Sequence, residues 1–152
     1  MSNKFWKSFS IVLHVLFDEI EIQQKLFTET FNTNSDDVEL VNLLIEYTEI
    51  DISATNNSAI QIASSNGHIA VVDRLLQDRR VDPSVDNNFA IQWASHNGHI
   101  AVVNRLLQDS RVDPSADNNL AIRWASHFGH IAVVERLKQE VRSRVKKLDT
   151  QT

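Results

Sequence analysis

WASHNGHIAVV, residues 93–103, returns as WASHFGHIAVV at residues 124–134, 31 positions further on. The pair belongs to a longer unit whose three copies begin at Thr55, Asp86 and Asp117. Copies one and two differ at only 7 of 31 positions, and the third drifts mainly after residue 137. Written once, the unit is D-N-N-x-A-I-x-x-A-S-x-x-G-H-I-A-V-V-x-R-L-L-Q-D-x-R-V-D-P-S-x. All three glycines of the chain (Gly67, Gly98, Gly129) fall in one column, and both prolines (Pro83, Pro114) in another. A period of about 20–50 residues predicts a solenoid, in which each unit buries its apolar face against its neighbours.

Within the unit, Ala90-Ile91 and Ala94-Ser95 start a short helix of small residues that lets helices approach closely. Gly98 then ends it, because a residue without a Cβ takes the positive φ that turns the chain. Ile100, Val103, Leu106 and Leu107 stand at i, i+3, i+6 and i+7, the stripe of a second amphipathic helix. Asp109 to Asn119 lacks that period. Pro114 disfavours a helix at Asp113, and the surrounding Ser, Asp and Asn residues favour turns, so the segment reads as a protruding loop.

The pattern A-x-x-G-H-x-x-V-V-x-x-L-L followed by V-D, present as ASHNGHIAVVNRLL and RVD, resembles the ankyrin repeat. The resemblance covers residues 55–141. It implies an all-α solenoid of helix-turn-helix units with protruding loops. Two departures stand out: the unit is 31 residues long where about 33 are usual, and the family's T-P-L-H tetrapeptide is replaced. Its positions read Ser58-Ala-Ile-Gln61, Phe89-Ala-Ile-Gln92 and Leu120-Ala-Ile-Arg123. They imply an altered cap on the first helix and a shorter loop. The loop positions that carry a hydroxylated asparagine in some members match Ser84 and Ser115, so that modification is not carried over. The DNN…VDPS variant also resembles repeats frequent in giant viruses and amoeboid eukaryotes, which implies an adaptor working in a host cytosol.

Shifting the frame back by 31 places Val38, Val41, Leu44 and Ile45 on the columns of Ile69, Val72, Leu75 and Leu76. The predicted organisation is an N-terminal helix or cap (1–23), a degenerate repeat (24–54) with Phe27 and Phe31 in its first helix, and two full repeats (55–85 and 86–116). A C-terminal repeat with a basic capping helix (117–152) completes it. There, Lys138 replaces the apolar Leu107, as a wettable outer face requires.

The composition excludes several classes. No cysteine is present, which removes disulfides and thiol chemistry and favours a reducing, cytoplasmic setting. The net charge is −5, with an acidic N-terminal third and a basic tail, which disfavours a broad nucleic-acid interface. The longest apolar run, Ile11–Phe17, is too short to span a bilayer, and Asp18-Glu19 follows where a signal peptide needs small residues. The basic tail reads as a solvated helix whose cations suit a helix C-terminus.

Two H-x-x-H pairs, His96/His99 and His127/His130, lack a third converging ligand, so neither a metal nor another cofactor is expected. No nucleophile–base pair and no phosphate loop appear, so the enzyme reading is set aside. Metal-dependent hydrolysis through the histidines is its remaining form.

Positions that vary while the frame stays fixed point to a partner. By resemblance, a protein partner lies along the concave side, against loop tips and exposed first-helix positions. The candidate partner-binding residues are Ser65, Asn66, Phe89, Gln92, Trp93, His96, Asn97, Leu120, Arg123, Trp124, His127 and Phe128. Trp93 and Trp124 also suit packing between repeats. The predicted function is non-enzymatic binding of another protein by a monomeric scaffold or adaptor, with no small-molecule substrate and no membrane. The alternative is an oligomerising subunit using the apolar N-terminal face of Phe5, Trp6, Phe9 and Leu13.

Overall fold

The computed structural model describes residues 38–39, 41–42 and 52–149. The expected N-terminal helix, its self-association face, and Phe27 and Phe31 lie outside the described residues. Among those described, every element is helical: α1 (Ala54–Asn66), α2 (Ile69–Leu75), α3 (Val85–His96), α4 (Ile100–Leu106), α5 (Ala116–His127) and α6 (Ile131–Asp149). The first helices pack in series, α1 on α3 and α3 on α5. The second helices, α2, α4 and α6, form a parallel layer behind them.

The apolar stripe explains the layering. Val71, Val72 and Leu75, then Val102, Val103 and Leu106, then Val133 and Leu137, are buried at the same columns of successive copies. The small Ala59, Ala63, Ala90, Ala94, Ala121 and Ala125 are buried between the first helices, where a larger side chain would hold the backbones apart. Each fully buried Val or Leu contributes about 1.5–3 kcal/mol. Val41 joins the same core.

The D-N-N segment differs from the expected loop. Asp86, Asn87 and Asn88 have φ of 51°, 57° and 68°, and Asp117, Asn118 and Asn119 repeat them closely. These are turns of left-handed helix inside the first turn of α3 and α5, ahead of their right-handed remainder, each closed by a backbone bond from the last Asn to the Ser four residues earlier (Asn88 N to Ser84 O, 2.9 Å). Such a conformation costs most L-residues about 1–2 kcal/mol each, and Asn and Asp are the side chains that bear it. Two sets of bonds offset the strain. Gln92 Nε2 donates to Asn87 O at 2.7 Å, as Gln61 does to Asn56 O. Asn57 and Asn88 use Oδ1 to accept the backbone N–H of Asp82 and Asp113, clamping the next loop at 2.8 and 2.7 Å.

The loops themselves are small Asx turns. Asp82 and Asp113 accept from the backbone N–H and hydroxyl of Ser84 and Ser115. One turn earlier, hydrogen bonding from Arg80 holds the Asp78 carboxyl down to about 2, and Arg111 lowers Asp109 in the same way.

Candidate functional site

The stacking interface recurs with a period of one repeat and frames the candidate surface. Arg74 donates to Asn42, Arg105 to Asp73 and Arg136 to Asn104, three rungs each spanning 32 residues. The His99 ring nitrogen Nε2 meets the Ser65 carbonyl at 2.9 Å, and His130 meets the His96 carbonyl at the same distance. These imidazoles sit on the preceding glycine. A Cβ on Gly67 would stand 2.7 Å from His99 Nδ1, and one on Gly98 only 2.5 Å from His130 Nδ1. The Gly column therefore both takes φ near +77° and leaves room for the next repeat's ring. A Cβ on Gly129 would meet no atom within 4 Å beyond its chain neighbours.

On the first-helix layer the side chains that change between copies form one connected stripe of rings. Phe89 meets Trp93 edge-on at 5.6 Å, and Trp93 lies 5.5 Å from Trp124. His96 sits among them, 5.1 Å from Trp93, 5.4 Å from Trp124 and 4.2 Å from Phe128. His127 closes the stripe against Phe128 at 4.8 Å. Edge-to-face and tilted packing of this kind is favourable beyond the area it buries. Phe128 keeps 48% of its surface exposed, while Trp93 and Trp124 are half-buried. The tryptophans thus pack between repeats and still present an edge to solvent.

The other candidates divide. Asn66, Asn97, Arg123 and His127 are exposed, and Ser65 and Leu120 are half-buried. Asn97 is already engaged, because its Nδ2 donates to the Ser65 carbonyl at 2.8 Å and to the Ser65 hydroxyl at 3.1 Å. In the next copy Phe128 takes its place and contributes a ring instead of this tie. Gln92 is a correction: it is 2% exposed and fastens the left-handed turn, so it offers nothing to a partner. In the last copy the column holds Arg123, which is exposed. Among the described residues, no three His, Asp or Glu side chains converge on one point, and no helix is long and apolar enough to cross a membrane.

Sequence reasoning also missed Ile131, 70% exposed where Ile69 and Ile100 pack on the core. The signal was available: Ile131 belongs to the copy in which the Asp-Pro-Ser loop gives way to Val-Arg-Ser-Arg-Val-Lys-Lys.

A family model described as ankyrin repeats, in three copies, matches residues 61–149, more than half of the chain. The chain belongs to the ankyrin repeat family. Ankyrin repeats are generally protein–protein interaction modules and typically non-catalytic. No curated protein and no solved structure matches the chain.

Proposed function

We propose that this ankyrin protein is a non-enzymatic adaptor that binds another protein on the exposed side of its first helices, with the ring stripe as the anchor. One observation carries the reading: His96, Trp124, Phe128 and His127 form a connected cluster at an edge that solvent reaches, built only from positions where the copies differ. Half-exposed aromatic side chains fixed by packing suit an interface hot spot, because little rotamer freedom is lost when a partner covers them. The Arg and His rungs beneath hold the backbone, so the partner meets a preformed surface. The cysteine-free composition supports a reducing, cytoplasmic setting for this encounter.

The test is affinity capture from the native cytosol, comparing the chain with a His96→Ala/His127→Ala/Phe128→Ala variant shown by circular dichroism to be equally helical. Loss of a specific protein from the variant's eluate is expected. Equal recovery of the same proteins by both would refute the assignment of this face.

A further inference from the structure

His96 differs from the other rings of the stripe in that its tautomer is fixed. Asn97 Nδ2 lies 2.8 Å from the Ser65 carbonyl oxygen, an atom that only accepts, so the amide turns its NH2 toward Ser65. The amide oxygen therefore faces the ring, 2.7 Å from His96 Nδ1. An amide oxygen cannot donate, so Nδ1 carries the hydrogen and Nε2 holds a bare lone pair. Among the described side chains only Ser64 Oγ is buried without a hydrogen-bond partner, so Nε2, which has no partner among the described residues, is reached by solvent. Three rings wall the imidazole: Phe128 at 4.2 Å, Trp93 at 5.1 Å and Trp124 at 5.4 Å. The lock is written once. Ser65 precedes Asn66 and His127 precedes Phe128, so neither neighbouring copy sets an imidazole beside an amide. The opening also lies inside the stack: His96 is half-buried and Asn97 exposed with a further repeat following them, and Asn66 is exposed in the same way.

We propose that His96 Nε2 is the specificity-determining acceptor of the partner site and receives an arginine of the partner protein, an inference that rests on the ring stripe being the binding face. A guanidinium donates an N–H to the bare nitrogen while its flat cation lies against the faces of Phe128 and Trp124. Asn97 is the positioning residue, because without it the imidazole is free to carry its hydrogen on Nε2 and offer no acceptor.

The surrounding charge agrees with a cationic occupant. Asp86 stands in the first turn of α3 and Asp117 in that of α5, and among the described residues neither forms an ion pair with an arginine or lysine. The α1 helix carries no charge, while α5 adds Arg123 and His127. From the layer behind, His99 is engaged with the Ser65 carbonyl and His130 with the carbonyl of His96 itself. The net charge of −5 favours the approach of a basic segment. A tyrosine hydroxyl would also donate to Nε2, but it accepts as readily as it donates and would tolerate a proton there. A guanidinium has no lone pair and shares the charge of an imidazolium, so protonation of Nε2 expels it.

Two measurements on the full chain test this. Nitrogen-15 NMR reads the tautomer with no partner present: His96 should show a protonated Nδ1 and a bare Nε2 in neutral buffer, and an equally helical Asn97→Leu variant should lose that preference. A phage-displayed library of random peptides, selected on the chain in the same buffer, then reads the occupant. Peptides whose binding is lost in Phe128→Ala should carry an arginine, and changing that arginine to alanine should weaken them about tenfold or more. His96→Phe, which keeps a ring and removes the acceptor, should weaken them about as much. Their affinity should also fall over the pH range in which the His96 signals record its own protonation. The proposal is overturned, with the binding face intact, if Nε2 carries the hydrogen, or if the Phe128-dependent peptides lack arginine or ignore His96→Phe. If no peptide is retained, or all bind Phe128→Ala as tightly as the parent, the binding face itself is refuted along with the proposal.

Discussion

Replacing Gly98 by alanine should damage the protein far more than replacing Gly129, although both residues have nearly the same backbone angles, φ +76° and +77°. At either position a Cβ in the left-handed region costs about 1–2 kcal/mol. At Gly129 that is the whole effect, since the new methyl meets nothing within 4 Å. At Gly98 the methyl would stand 2.5 Å from His130 Nδ1 and 2.7 Å from Cε1, so the ring must move. Moving it forfeits the 2.9 Å contact to the His96 carbonyl, about 1 kcal/mol, and adds overpacking of about 1–3 kcal/mol. The expected losses are about 3–6 kcal/mol for Gly98→Ala and about 1–2 kcal/mol for Gly129→Ala. Because neighbours in a solenoid stabilise one another, Gly98→Ala should also uncouple the last repeat and broaden the transition. Urea titration followed by far-UV circular dichroism and tryptophan fluorescence reads both effects. Equal losses for the two variants would show that the ring seated on glycine contributes nothing to stacking.

The left-handed turn gives a second contrast: Asn118→Gly should be close to neutral in a thermal melt, while Asn118→Val, β-branched at φ 56°, should cost about 2 kcal/mol. Asn88→Ala should lose about 2–3 kcal/mol in chemical denaturation, since it removes the acceptor of the Asp113 N–H, whereas Asn119→Ala, with no loop to clamp, should lose only its share of turn strain. Acid should also weaken the fold. Asp78 sits at about 2, below its ordinary 3.8, so its contribution is present above the higher value and disappears as pH falls from about 4 to about 2. Urea midpoints should therefore fall below pH 4. A midpoint unchanged down to pH 2 would contradict the Asp78–Arg80 and Asp109–Arg111 assignments.

Much of this architecture was legible because side-chain type alone carries it. The Ile100, Val103, Leu106 and Leu107 stripe, the glycine ends and the 31-residue period need no knowledge of what lies across the stack. The D-N-N turn was not legible. Asn and Asp visit the left-handed region singly in most proteins, so three in succession read as an ordinary loop. The second duty of the glycine column was hidden for another reason. Gly67 announces a helix end by itself, but its use as a seat for His99 depends on contact between residues 32 apart. Gln92 shows the limit of reading variation as exposure: its column varies between copies, yet the side chain is buried and fastens the turn. Trp93 and Trp124 serve packing and surface at once, which a choice between the two does not capture.

The central claim is that each repeat leans on the one before it through a ring laid on a glycine. Nuclear Overhauser spectra of the full chain test it at both seats. Cross-peaks from the His99 ring to the Gly67 α protons and from the His130 ring to those of Gly98 are expected, with none to Gly129 from the ring of another repeat in the isolated chain. Absence of both cross-peaks, or a histidine ring found on Gly129 instead, would contradict the account.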